Sequence, residues 1–349
     1  MAEAKESKSK NTNLRKAKET KNDEFYTQYQ DIANEIGHYR QHFKGKVVYC
    51  NCDDPTWSNF WRYFHNNFAS LGLKKLISTH YQANSEPSYC MEYTGGNDFD
   101  MDAGKITPIL GDKGEDGKQI YTAGDFRSQA CIKLLKEADI VITNPPFSLF
   151  REYIGQLMEY EKKFILIGNL NAITYKEFFP LLKDNKVWMG YNSVKEFKQP
   201  DGTFKKFGNV CWYTNLDLQK RHDGLWHLNG KFDKTQAHCY YEGNEDKYPK
   251  YDNYDAINVD KTSMIPIDYT DVMGVPITFL DKYNPEEFEI IGFFNNYKPE
   301  TAGNGFIYGE AVHVTSTKSL FRGPVINGKA IYFRILIRNR NPIAKKDDK

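Results

Sequence analysis

Several features that would fix this chain's class are scarce. No apolar run approaches the roughly 20 residues of a membrane-spanning helix, and mean hydropathy is −0.68, so no membrane association is expected. The opening stretch Met1–Lys21 is polar and lysine-rich, unlike a secretory leader. Cysteine is sparse: six in 349 residues, with no CxxC pair and only Cys50-x-Cys52 closely spaced. That pattern argues against a disulfide framework or a zinc cluster. Reduced thiols, no bound metal and a cytoplasmic location are the expectation. Net charge is also small, at +1, but it is unevenly placed. Residues 1–22 carry seven Lys and Arg against three Glu, and residues 334–349 carry six against two Asp. Each end is therefore +4 and the body −7. Basic ends on a mildly acidic body suit a grip on a polyanion, and they also suit plain solubilising tails.

What is present is sharper. The tetrapeptide Asn144-Pro145-Pro146-Phe147 directly follows the β-branched run Asp139–Thr143, which reads as a buried strand. Two prolines can neither continue a helix nor donate to a sheet, so they lock an extended turn. In open α/β sheets, ligands bind just outside the carboxyl ends of strands. An Asn oxygen, a proline carbonyl and an aromatic ring are thus fixed where a ligand would sit. Two acceptors and a stacking face are what an exocyclic amino group on a planar heterocycle requires.

Residues 1–22 are too polar to build a core and read as a disordered basic tail. Helices are expected over Gln30–Phe43, Ser58–Leu71 (Ser58 as N-cap), Ser128–Glu137, Ser148–Tyr160 and Tyr175–Asp184. Strands are expected over Lys46–Cys50, Lys74–Thr79, Asp139–Thr143, Lys163–Asn169 and Lys186–Tyr191, with an insertion or hairpin over Glu86–Lys118. This alternation indicates a doubly wound, mostly parallel sheet in an α/β domain over residues 23–215. Beyond Gly208 the pattern changes. Val210–Thr214, Ile277–Leu280, Glu289–Phe293 and Ile331–Ile337 look like strands among long loops. Residues 216–349 read as a C-terminal recognition region of mixed strands and loops.

Four segments fall in a telling order: Phe25-Tyr26-Thr27, Tyr49-Cys50-Asn51-Cys52-Asp53-Asp54-Pro55, Gly124-Asp125-Phe126 and Asn144–Phe147. Their order resembles the amino-directed methyltransferases that use S-adenosylmethionine. More narrowly, the stretches DEFYTQY, KVVYCNCDDP, DFRS, TNPPFSLFREY, YPKYDNYD and GVPITFL resemble the EcoRI adenine methyltransferase family. The resemblance runs from residue 23 to 337 and is loosest around 190–245 and 292–325. It implies a Rossmann-like methyltransferase fold and transfer of a methyl group to adenine N6 in double-stranded DNA. Asn144, Pro145, Pro146 and Phe147 would be catalytic. Tyr26 and Thr27 would hold the methionine end of the cofactor. Asn51, Cys52 and Asp53 would supply backbone amides and a carboxylate to its amino-acid portion. Asp125 would accept a hydrogen bond from the cofactor adenine, with Phe126 packed on that ring. A monomer is expected, with a cognate restriction endonuclease as a functional rather than physical partner.

Two departures from the wider class are visible. The loop after the first strand has no glycine, and the second ends Ser78-Thr79-His80-Tyr81 without an acid for the cofactor ribose. Glu92 and Asp98 are the nearby acids, neither assigned, and His80 reads as a surface histidine. Trp212 suits a second base-covering aromatic by chain order, although a strand position reads first as core. Base-reading side chains are expected around 190–245. The alternatives are an RNA guanine-N2 or adenine-N6 methyltransferase, or a non-catalytic DNA-binding protein with a degenerate cofactor loop.

Overall fold

The computed structural model describes residues 26–82, 88–97, 100, 104–199, 202–223, 247–296, 305–315 and 320–342. The basic tail at 1–22, Phe25, Asp98 and the basic residues 345–349 lie outside them. The chain divides into two compact units. One comprises Met1–Asn171 with Gly190–Leu216, the other Ala172–Met189 with Asp217–Lys349.

The first unit is mixed α/β, built on a large mixed sheet. Strands β1 (Tyr26–Thr27), β2 (Val47–Cys50), β3 (Lys75–Thr79), β4 (Ser88–Tyr93) and β5 (Lys105–Ile109) come first. A two-stranded ribbon follows, β6 (Asp112–Lys113) with β7 (Gln119–Tyr121). Then come β8 (Ile140–Thr143), β9 (Lys163–Asn169), β10 (Trp188–Lys198) and β11 (Phe204–Thr214). The nine-stranded order is β1-β10-β11-β9-β8-β2-β3-β4-β5. The central four, β3-β2-β8-β9, are parallel. Antiparallel strands flank them on both sides. The order reverses between β2 and β8, so their carboxyl ends flank a topological switch point, where open α/β sheets bind ligands. The expected insertion at Glu86–Lys118 is a hairpin, β4–β5, that extends the sheet edge.

Helices α1 (Tyr29–Ile36), α2 (Asn59–Asn66), α3 (Phe68–Leu71), α4 (Gln129–Glu137), α5 (Phe150–Glu159) and α6 (Phe179–Lys183) match the expected order. Ser58 caps α2 by accepting the Phe60 N–H at 3.1 Å, and Ser128 caps α4 by accepting that of Cys131. Their lengths differ from expectation for local reasons. Ser58–Leu71 is two helices that meet at Asn67, whose backbone N–H and side-chain amide both donate to the Tyr63 carbonyl, at 3.1 and 2.8 Å. Tyr175–Asp184 shrinks to α6 because Pro180, which has no N–H, suits only the first turn. The expected strand at Ile277–Leu280 is a 3₁₀ helix, Ile277–Lys282, with Phe279 N–H on the Pro276 carbonyl. The strand lies just before it, at Met273–Val275. The strands expected at Lys186–Tyr191 and Val210–Thr214 are present and longer than expected, as β10 and β11. In the second unit a five-stranded sheet includes Phe288–Phe294 paired with Arg334–Asn339.

Candidate active site

The turn after β2 is built without glycine, and the structure shows how. Cys52 takes the left-handed conformation, φ 67°, that glycine usually fills. Its N–H is satisfied by Asn51 Oδ1 at 2.9 Å, and Thr79 Oγ1 at the end of β3 donates to the same oxygen at 3.0 Å. Asn51 is buried, so its side chain holds the turn's shape.

The Asp53 carboxylate lies against the start of the tetrapeptide. It accepts from Ser58 Oγ at 3.0 Å, lies 2.6 Å from Thr143 Oγ1, and takes the backbone N–H of Asn144. Thr143 Oγ1 also lies against the Asn51 carbonyl. One hydroxyl proton cannot serve both oxygens. Thr143 therefore donates to one of the two at a time. Burial pushes the Asp53 carboxyl up to about 7, against the opposing pull of the Thr143, Ser58 and Asn144 hydrogen bonds.

Asp54 behaves oppositely. Burial pushes its pKa up, but hydrogen bonds from His80, Thr56 and Tyr89 outweigh that and hold it well below the usual carboxylate range. His80, expected to be an ordinary surface histidine, is partly buried with Nδ1 2.9 Å from Asp54 Oδ2. The strand that lacks a terminal acid thus ends in a histidine joined to an acid from the neighbouring turn. Glu92 is committed elsewhere, in an ion pair with Lys75.

The Gly124-Asp125-Phe126 segment lies along the end of β3. Gly124 has φ +80°, and a Cβ there would collide with the His80 carbonyl oxygen. Asp125 is held by Arg127, which the sequence reading passed over. Nε and Nη2 donate to its two oxygens at 2.9 and 2.7 Å, and Arg127 Nη1 reaches Glu152 at 2.9 Å. A carboxylate has room for further donors beyond this bidentate pair. Phe126 is buried edge-on to Tyr153, with ring centroids 4.9 Å apart. The Arg127 guanidinium lies 5.2 Å from the centre of the Phe126 ring.

The tetrapeptide emerges from β8 with Pro145 buried and Asn144, Pro146 and Phe147 half-buried. Phe147 meets Phe197 of β10 edge-on at 6.4 Å, and Phe197 pairs with Thr27 of β1. The Thr27 carbonyl accepts from Asn59 Nδ2 at 2.8 Å, and Tyr26 packs on Trp57 at 4.1 Å. These contacts close a ring: the β2 turn, α2, β1, β10 and the tetrapeptide. Trp212 is fully buried with its edge on Phe60, the core position that its strand suggested. Thr143, Thr79 and Arg127 were not singled out from the sequence. The usable signal was a hydroxyl residue closing each of the two strands that flank β2.

Comparison with known proteins gives the class, a methyltransferase. Residues 13–340 match the family model for the adenine-specific methyltransferase EcoRI, and the chain belongs to that family. It is 46% identical to the type II methyltransferase M.EcoRI of Escherichia coli, over 94% of this chain and 96% of the relative. It is 36% identical to the type II methyltransferase M.MpnI of Mycoplasma pneumoniae, over 94% and 98%. For M.MgeORF184P of Mycoplasma genitalium the figures are 34%, 93% and 98%. No solved structure matches significantly. Among the described residues no helix is long and apolar enough to cross a membrane.

Proposed function

We propose that this enzyme methylates the N6 amino group of adenine in double-stranded DNA, using S-adenosylmethionine. The observation that carries the reading is the placement of Asn144-Pro145-Pro146-Phe147 at the carboxyl end of β8, tied through Thr143 to the turn after β2. The strand order β3-β2-β8-β9 is what a doubly wound, Rossmann-like sheet requires. In this reading residues 23–215 form the catalytic domain, and residues 216–349 read the target site.

The residues fit the cofactor. Thr27 Oγ1 is buried without a hydrogen-bond partner among the described residues. Such orphans are rare and call for an explanation; a bound polar group supplies one. Thr27, the Asn51–Asp53 backbone and Asp125 would hold the cofactor, which supplies an electrophilic methyl group.

An aromatic amine is a weak nucleophile because its lone pair is delocalised. Asn144 and the Pro145 carbonyl would accept its two N–H groups and turn the lone pair out of the ring plane. Fixed acceptors would also stabilise the positive charge that develops on nitrogen, without reorganisation during the reaction. Duplex stacking hides the target, so the base must be flipped out, and Phe147 would stack on it. The protein would act as a monomer in the cytoplasm, within a restriction–modification pair. Incubation with cofactor and mixed-sequence duplex, followed by mapping of modified bases, tests the reading; no methylated adenine would refute it.

Two substitutions probe the parts. Asp125→Ala removes the partner of Arg127 and the proposed adenine acceptor. Cofactor affinity should fall by about 10- to 100-fold, the range for losing a hydrogen bond to a charged group. An unchanged calorimetric titration would refute the assignment. Phe147→Ala should cut the fluorescence gain of a 2-aminopurine at the target, with base stacking worth about 1–3 kcal/mol. Phe147→Tyr should keep it, whereas equal brightening and rate in the alanine variant would make Phe147 purely structural.

A further inference from the structure

The β10–β11 pair is longer than the sheet needs. β11 pairs with β9 only through Val210–Thr214, with Val210 opposite Asn169 at the carboxyl end of β9. Phe204–Asn209 therefore run on past that end as an arm with β10. The arm projects from the same edge of the sheet as Asn51 and Asn144, because β2, β8 and β9 are parallel. Its tip closes with Gln199 N–H on the Thr203 carbonyl at 2.7 Å. Its base is anchored, since the buried Glu35 carboxylate accepts the Tyr191 and Asn192 N–H groups at 2.9 and 2.8 Å.

The arm carries exposed lysines and an exposed aromatic ring. Lys195, Lys198, Lys205 and Lys206 are exposed, and so is Phe204, at 55%. Residues two apart share a face. Lys195 and Lys205 thus lie on the face of Phe197 and Phe207, while Lys198, Lys206 and Phe204 lie on the other. Both faces carry lysines, and Glu196 shares the face of Lys198. Among the described residues no carboxylate forms an ion pair with Lys195, Lys198 or Lys206. An aromatic series links the arm to the tetrapeptide: Phe147 to Phe197 at 6.4 Å, Phe197 to Phe207 at 5.4 Å, with Lys205 Nζ over Phe207 at 5.3 Å.

We propose that the β10–β11 arm enters a groove of duplex DNA beside the target base, its lysines meeting phosphates on either side and Phe204 meeting the bases. A major groove admits a two-stranded ribbon. Lysines on both faces match the phosphate backbones that wall it. The aromatic series sets the arm's distance from the proposed site of chemistry. The inference rests on the DNA-modifying function proposed above.

The test compares the full-length protein with two variants, Lys198→Ala/Lys205→Ala/Lys206→Ala and Phe204→Ala, on a duplex that the wild type methylates. Cofactor titration first establishes that each variant is folded. The triple variant should bind duplex more weakly, and its slope of log K against log salt should drop by about 0.9 for each phosphate that is no longer neutralised. Phe204→Ala should lose about tenfold in affinity, within the range for an aromatic–base contact, and Phe204→Trp should recover it. Wild-type affinity and salt slope in both variants, with methylation by the wild type intact, would overturn the arm's role alone. Absence of duplex binding and methylation by the wild type would overturn the function and the arm together.

Discussion

Asn144→Ala lowers the single-turnover rate of methyl transfer by about 10²–10³, the usual cost of losing one preorganised acceptor or donor, while cofactor and duplex affinities stay near wild type. The expectation follows from position. Asn144 follows Thr143, whose hydroxyl is pinned between the Asn51 carbonyl and Asp53, and its own N–H is held by the Asp53 carboxylate. Backbone ties on both sides fix where its side chain starts. The next two residues are prolines, which remove most of the remaining freedom. An acceptor held this rigidly contributes most when charge develops on the amine, so its loss appears in the chemical step. Asn144→Asp, which keeps acceptor oxygens, should retain more of the rate than the alanine variant. A single-turnover rate within about threefold of wild type for Asn144→Ala would refute the role, since that is far below the expected loss.

The parts of this architecture that a sequence shows are those set by local chemistry. The parallel strands were legible because buried strands are continuous β-branched runs, as in Ile140–Thr143 and Phe164–Ile167. Ser58 and Ser128 marked helix starts because capping depends on one side chain and its own next turn. Proline fixed the tetrapeptide turn, yet its effect at Pro180 and Pro276 was underestimated. There it set where a helix begins, and periodicity alone placed those elements wrongly.

The site's wiring was not legible because it depends on partners distant in sequence. For Asp53 the sequence suggested a cofactor role but not its partners inside the fold. Only folding brings Thr143, 90 residues away, onto it. His80 read as a surface residue until Asp54 and Tyr89 were seen around it. Asp125 was identified, but its clamp was not. Arg127 stands two residues on, and an Asp-x-Arg spacing does not announce a bidentate pair. The missing glycine in the β2 turn has the same explanation. Asn51 and Thr79 meet across neighbouring strands, and together they support the left-handed Cys52 that glycine would otherwise supply.

Asp53→Asn should change how stability depends on pH. The Asp53 carboxyl, at about 7 in the folded protein, lies well above its ordinary 3.8 because burial disfavours the charge. Between those values the native state keeps a proton that the unfolded chain has released. Unfolding then releases protons, so raising the pH favours the unfolded chain. The stability that Asp53 contributes is full below about pH 4, falls as pH rises to about 7, and is level above that. At about 1.4 kcal/mol per pKa unit, the whole span is worth on the order of 4 kcal/mol. Asparagine resembles the neutral acid, with an N–H donor for Thr143 and a carbonyl acceptor for Ser58, and it does not titrate. The variant should therefore gain on the wild type by about this amount between pH 4 and pH 7. Titratable neighbours do not obscure the comparison. Burial pushes the Cys50 and Cys52 thiols and the Tyr153 phenol up, which keeps them neutral over this window. Asp54, held low, loses stability toward acid, but it does so in both proteins and cancels in the difference. Urea unfolding of both proteins at half-unit steps from pH 4 to pH 8 reads the effect directly. A difference in unfolding free energy that stays constant across that range would mean that native Asp53 is already ionised, and that burial does not raise its carboxyl as argued.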